Sequence, residues 1–223
     1  MNRKARRQRF APRLVVMTKE PLAGRVKTRL AHDIGTIPAT RFFRTNLALT
    51  LQRVATGTRW QTILAVAPQA AISSRAFSAS PARMTQGAGD LGQRLQGVFA
   101  AAPPGPVVVI GGDIPGIVAR DIVQAFMALR GADAVFGPAS DGGYWLVGLA
   151  PRARHLRIFQ NVRWSSTFAL ADTRANLTGR RVREVATKHD VDNGADLSRL
   201  SGLCGRLVCG ASESNTGETK PAA

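Results

Sequence analysis

Cysteine, tyrosine and acidic residues are all scarce in this 223-residue chain. The two cysteines, Cys204 and Cys209, lack the second pair of ligands that a structural zinc site requires. So few cysteines, with no apolar signal core after the opening residues, predict free thiols in a reducing cytoplasm. No apolar run approaches the roughly 18 residues that a membrane span needs. His32, His155 and His189 are scattered without metal-ligand spacing and read as surface or structural residues. One tyrosine and three tryptophans supply little for stacking on bases. A P-loop is missing too, because Val26 and Pro21 stand where its glycines would precede Lys27. The dinucleotide fingerprint G-x-G-x-x-G is likewise absent.

The shortage of acid is one side of a large imbalance. Against 14 Asp and Glu stand 31 Lys and Arg, a formal charge of +17. An excess of that size points to an anionic partner: nucleic acid, a membrane surface or a phosphorylated substrate. Part of it is Arg3, Lys4, Arg6, Arg7, Arg9 and Arg13, so residues 1–12 read as a solvated, disordered basic arm. The hydrophobic fraction of 44% and the length suit one domain with a sizeable core, placed at residues 13–209. Residues 210–223 are small and polar and read as a disordered tail.

Apolar runs predict strands at Leu14–Met17, Thr62–Val66, Val107–Ile110, Ala134–Phe136, Tyr144–Leu149 and Arg181–Ala186. Helical periodicity appears over Pro38–Ala55, Leu91–Ala101, Val118–Arg130 and Ser166–Leu177, with a last short helix after Asn193. The stretch Gln69–Gly89 is weakly patterned, with a short strand near Met84 at most. Four consecutive β-branched residues at Val107–Ile110 predict a central parallel strand covered on both faces. Helices between strands imply βαβ crossovers and a three-layer α/β/α, Rossmann-like domain with a mostly parallel sheet.

In such sheets ligands bind beyond the carboxyl ends of the strands, which directs attention to the turns there. After the first strand, Lys19, Arg25, Lys27 and Arg29 crowd around Gly24, giving either an anion-binding surface or a solvated basic loop. After Val107–Ile110, the turn Gly111-Gly112-Asp113-Ile114-Pro115 sets a carboxylate at the end of an apolar strand. Asp113 there either caps the next helix or holds Mg²⁺ jointly with substrate phosphates. Asp141-Gly142-Gly143-Tyr144 is either a plain β-turn or an acceptor-facing loop. Asp190 and Asp192 are expected on opposite sides of the chain, one reaching a site and the other capping the following helix. Trp164-Ser165-Ser166 reads as a helix N-cap.

Five segments together resemble the bacterial DUF2064 family: Lys19-x-Pro21-x-x-Gly24-x-Val26-Lys27-Thr28-Arg29-Leu30, Gln86-Gly87 with Asp90-Leu91-Gly92-x-Arg94-Leu95, Gly112-Asp113-x-Pro115, Asp141-Gly142-Gly143-Tyr144 and Asp190-Val191-Asp192. That family is identified as glycosyltransferase-like, with the GT-A nucleotide-diphospho-sugar transferase fold. The resemblance covers roughly residues 13–202. It implies a nucleotide or nucleotide-sugar donor and a small-molecule acceptor. Asp113 and Asp192 are then the ligands of Mg²⁺ or Mn²⁺, and Lys27 acts with them in catalysis. Val26-Lys27-Thr28-Arg29-Leu30 is similar to the phosphate-binding loop of phospholactate guanylyltransferases, so Lys27, Thr28 and Arg29, with Lys19, Gly24 and Arg25, are expected to bind phosphate. Gln86, Gly87 and Arg94 fall where such enzymes contact base or sugar, and Asp141, Gly142, Gly143 and Tyr144 face the acceptor. Asn193-Gly194-Ala195-Asp196 departs from the Thr-Pro-Glu-Asp that commonly follows in relatives.

The reading that results is a metal-dependent transferase, glycosyl transfer from a nucleotide sugar leading. Nucleotidyl transfer from a nucleoside triphosphate to a phosphorylated acceptor, with release of pyrophosphate, is the alternative. A catalytically silent, nucleic-acid-binding α/β protein is a third reading, favoured by charge and disfavoured by the shortage of aromatics.

Overall fold

The computed structural model describes residues 10–55, 59–77 and 81–201. Most of the basic arm, both cysteines and the 210–223 tail lie outside the described residues. Seven strands form one sheet in the order β3-β2-β1-β4-β6-β5-β7. They are β1 (Arg13–Lys19), β2 (Gln61–Ala67), β3 (Ala82–Thr85), β4 (Val107–Gly111), β5 (Ala134–Pro138), β6 (Tyr144–Leu149) and β7 (Val182–Glu184). Six α-helices accompany them among the described residues: α1 (Thr28–Ile34), α2 (Thr36–Val54), α3 (Leu91–Ala101), α4 (Ala119–Ala128), α5 (Ala169–Ala175) and α6 (Gly194–Ser201).

Alternating side chains explain the three layers. Leu14, Val16, Val108 and Ile110 point to one face and pack with Phe43 and Leu47 of α2 and Ile122 and Ala125 of α4. Val15, Val107 and Val109 point to the other face and meet Leu95, Val98 and Phe99 of α3. Side chains two apart along a strand share a face, so an unbroken apolar run is buried on both sides.

Two expectations about the sheet need correction. β4 is central, but it is parallel only to β1; its other neighbour, β6, runs antiparallel to it and to β5. An apolar run reports burial of both faces and says nothing of a neighbour's direction. The last strand is also shorter than expected, spanning only Val182–Glu184.

Two helices differ likewise. α1 begins inside the predicted basic loop, and Gly35 (φ 88°) separates it from α2. α5 starts at Ala169 instead of Ser166, and Ser165 ahead of it takes a left-handed conformation (φ 57°). The Ser166 hydroxyl accepts from the Phe168 amide at 3.2 Å, making a local turn ahead of the helix.

The direction of travel through the sheet positions the site. From β1 the chain moves outward to β2 and β3, then returns to add β4 on the other side of β1. The β1/β4 boundary is therefore a topological switch point, and a crevice opens at the carboxyl ends of those strands.

Candidate active site

A cavity of about 390 Å³ occupies that crevice. Its walls include Thr18 and Lys19 from β1, Gly111 at the end of β4, Asp113 just after it, Gln86 ahead of α3, Arg94 in its first turn, and Asp190.

The Gly111-Gly112-Asp113 turn is fixed by its neighbours. The Gly112 amide donates to the Met17 carbonyl at 2.8 Å, and Asn46 Nδ2 of α2 donates to the Gly112 carbonyl at 3.3 Å. A Cβ on Gly112 would lie 2.9 Å from Leu47 Cδ1 and 3.1 Å from the Met17 carbonyl oxygen. A larger residue would push on Leu47 and the Met17 carbonyl, so glycine suits this approach of α2 and β1, and Asp113 projects into the crevice. α4 begins six residues later, with Asp121 Oδ2 accepting from the Val118 amide at 3.0 Å. Capping of that helix therefore belongs to Asp121 and not to Asp113.

Across the crevice, Gly24 (φ 77°) turns the basic loop with open space around it, and Arg44 ties the loop to α2 by donating twice to the Pro21 carbonyl (3.2 and 3.0 Å). Lys27 precedes α1 in a left-handed conformation, φ 46° and ψ 48°. That geometry costs a non-glycine residue roughly 1–2 kcal/mol. Its side chain is only 4% exposed, and Nζ sits 3.1 Å from Asp113 Oδ2, 2.9 Å from Asp190 Oδ1 and 3.4 Å from Asp192 Oδ1. Arg29, largely exposed, adds an ion pair of 3.3 Å to Asp192 Oδ2.

Both Asp190 and Asp192 thus reach Lys27, and the expectation that they would point to opposite sides is wrong. Residues two apart in an extended segment share a face, and the residue between them turns away. Here Val191 is that residue, fully buried against Leu30 of α1 and Ala39 of α2. This small apolar cluster draws the carboxylates to the lysine. The helix cap comes instead from Asn193 Oδ1, which accepts from the Asp196 amide at 2.9 Å, while Asp196 Oδ2 returns to the Asn193 amide at 3.3 Å.

The electrostatics follow from this packing. Burial works against the charge on Lys27, but the adjacent Asp113, Asp190 and Asp192 outweigh it and hold the ammonium protonated well above the usual lysine range. Burial raises the Asp190 carboxyl above its ordinary value, aided by Asp113 and Asp192 and opposed by Lys27.

The expected site residues are not all brought together. Lys19, Lys27, Gln86, Arg94, Asp113 and Tyr144 line the cavity, whereas Gly24, Arg25, Thr28, Arg29, Gly87 and Asp192 stand outside its wall. Gln86 Nε2 donates to the carbonyls of Thr18 (2.8 Å) and Ala65 (2.9 Å). Asp141 spends one oxygen on the Gly143 amide (2.9 Å), and a Cβ on Gly142 would overlap the Thr167 backbone at 2.2 Å. That turn is packed against the segment before α5, and only Tyr144 of the group reaches the cavity. Sequence reasoning missed Asp190 as a cavity residue and Asn46 as a support for the Gly112-Asp113 turn. The two-residue spacing from Asp192 was a signal for the first; nothing local marks the second.

The three carboxylates form an all-oxygen set of the kind that suits Mg²⁺ or Mn²⁺. Among the described residues, however, no group of three or more His, Cys, Asp or Glu is arranged to hold a metal ion. The carboxylates converge on the Lys27 ammonium instead.

Known proteins supply context for this geometry. A crystal structure from Desulfovibrio desulfuricans G20, of a protein provisionally assigned as a nucleotide-diphospho-sugar transferase, superposes with a TM-score of 0.80 at 25% identity, over 90% of this chain and 89% of that one. The 4-diphosphocytidyl-2C-methyl-D-erythritol synthase of Anaerococcus prevotii shares the fold at a TM-score of 0.59 and 11% identity, over 88% and 99% of the two chains. A Mycobacterium tuberculosis protein solved as its manganese complex does so at 0.54 and 19%, over 86% and 97%. No curated protein matches the sequence. Residues 50–166, just over half of the chain, match the profile of an uncharacterized protein family conserved in bacteria, DUF2064, and the chain belongs to that family.

Proposed function

We propose that the protein is a divalent-metal-dependent transferase that uses a nucleotide donor, transferring a glycosyl group from a nucleotide sugar to a small-molecule acceptor. The observation that carries this reading is the convergence of Asp113, Asp190 and Asp192 on one point of a switch-point crevice walled by Lys19 and Arg94. The fold shared with the Desulfovibrio protein and with a manganese-bound relative supports it. Asp113 and Asp192, with Asp190 as a further oxygen donor, would hold a Mg²⁺ or Mn²⁺ ion whose chemistry is to neutralise charge on the leaving phosphates. Lys27, Lys19, Arg25 and Arg29 bind those phosphates and hold them against the carboxylate side of the crevice. The reaction needs no protein nucleophile, since the acceptor hydroxyl attacks the anomeric carbon and the nucleoside diphosphate departs. Shielding by the cavity walls strengthens each charge interaction at that step.

One observation favours a second reading. The density of cations between Lys19 and Arg29 suits a triphosphate, and then a phosphorylated acceptor attacks the α-phosphorus with release of pyrophosphate. Thermal shift across nucleotides and nucleotide sugars, with and without Mn²⁺, separates the two. A metal-dependent shift with a nucleotide sugar supports glycosyl transfer. Pyrophosphate released from a nucleoside triphosphate in the presence of a phosphorylated acceptor overturns it in favour of the second reading.

A further inference from the structure

Lys27 stands where the three carboxylates point. Its Nζ lies 2.9–3.4 Å from one oxygen each of Asp113, Asp190 and Asp192, its side chain is almost fully buried, and its backbone is left-handed. A non-glycine residue keeps such a conformation only where its surroundings over-determine it, and here three ion pairs do so. Lysine also carries a compact charge on a flexible stem, which can swing to a new partner without refolding of the chain. Lys19 and Arg94 line the same cavity. Among the described residues no carboxylate pairs with either of them, so both remain available to anionic phosphate.

We propose that Lys27 is a resident counter-ion that occupies the carboxylate cluster against divalent metal, and that donor phosphates open the cluster by drawing its ammonium across the cavity. This rests on the nucleotide-donor reading above. An ammonium and a divalent cation cannot share the same three oxygens at close range, so each weakens the hold of the other. Phosphates that take up the ammonium therefore strengthen metal binding, and metal strengthens nucleotide binding by the same factor. The free protein keeps its carboxylates paired, which removes the cost of leaving them uncompensated in a half-buried site.

Mn²⁺ alone is the probe, with free ion counted by electron paramagnetic resonance on the full-length protein without nucleotide. Lys27→Gln should bind Mn²⁺ at least tenfold more tightly than the wild type. Arg94→Gln removes the same charge from the same cavity without touching the carboxylates, and should stay within threefold of the wild type. Equal or weaker binding by Lys27→Gln, or equal gains in both variants, overturns the proposal. Should Lys27→Gln not fold, amine acylation of the wild type read by mass spectrometry decides. Mn²⁺ should raise labelling of Lys27 several-fold while Lys188, paired with Asp121, is unchanged; labelling of Lys27 that ignores Mn²⁺ overturns the proposal. Nucleotide binding is scored separately by the ligand panel, so a lysine that does not compete with metal leaves the donor reading standing.

Discussion

Asp113, Asp190 and Asp192 lie close together, yet they answer to different constraints. Asp113 is set by the Gly112 turn, whose missing Cβ lets Leu47 and Met17 close in. Replacing Gly112 by alanine forces backbone or Leu47 to shift, an overpacking cost of about 1–3 kcal/mol. For a chain of this size that corresponds to a Tm lowered by roughly 2–12 °C. Calorimetry checks it; an unchanged Tm would mean the turn relaxes freely. Asp113→Asn keeps the shape and removes the charge. Loss of several kcal/mol of transition-state stabilisation should lower turnover by roughly a hundredfold or more, with Tm changed far less. Full activity in that variant removes Asp113 from the site. At this scale the sequence was informative where a residue's type was unusual for its place, as with a carboxylate ending an apolar strand. It was uninformative where the partner lay far along the chain. Asn46 reaches Gly112 across 66 residues, and no local pattern announces it.

Among the elements, the boundaries that sequence periodicity located best belong to helices with strong signals at both ends. α3 spans Leu91–Ala101 as expected because Asp90 and Gln93 form a reciprocal cap and two prolines follow. α5 lacks such a signal, and its start was misplaced by three residues. Its surroundings are pinned instead by Asp172, which accepts from the Arg163 amide (3.0 Å), Nε (2.9 Å) and an NH2 nitrogen (2.8 Å). The hydrogen bonds from Arg163 hold the Asp172 carboxyl down at about 2. A carboxyl depressed on folding stabilises the native state above its unfolded pKa, and that contribution fades as pH falls through the folded value. Asp172→Asn should therefore unfold at a lower temperature than the wild type at neutral pH. The gap should narrow as pH drops from about 4 toward 2. Melting curves across that range test it, and a gap independent of pH would assign the effect to shape instead of charge.

For the whole molecule, layer architecture was legible because strands buried on both faces and helices with one apolar side leave few alternatives. Strand order was not, since β6 enters antiparallel between β4 and β5 and no short motif encodes that choice. The same limit applied to the site, whose carboxylates come from two turns 77 residues apart and meet only through the switch point. The net charge is the remaining property that belongs to the molecule as a whole, and two uses compete for it. No helix of the described residues is long and apolar enough to cross a membrane. Five of the 31 cations fall within residues 1–9, whereas Lys19, Lys27 and Arg94 line the crevice. If the crevice cations serve nucleotide phosphates, removing residues 1–9 should leave the metal-dependent thermal shift by nucleotide intact. The same truncation should weaken retention of duplex DNA and flatten its dependence on salt, since every phosphate left without its cation reduces the slope by about 0.9. Fluorescence anisotropy with labelled DNA at several salt concentrations, alongside the thermal shift, separates the two uses. Undiminished DNA binding by the truncated chain, with no response to nucleotide, would move the charge from catalysis to nucleic-acid recognition by the α/β domain itself.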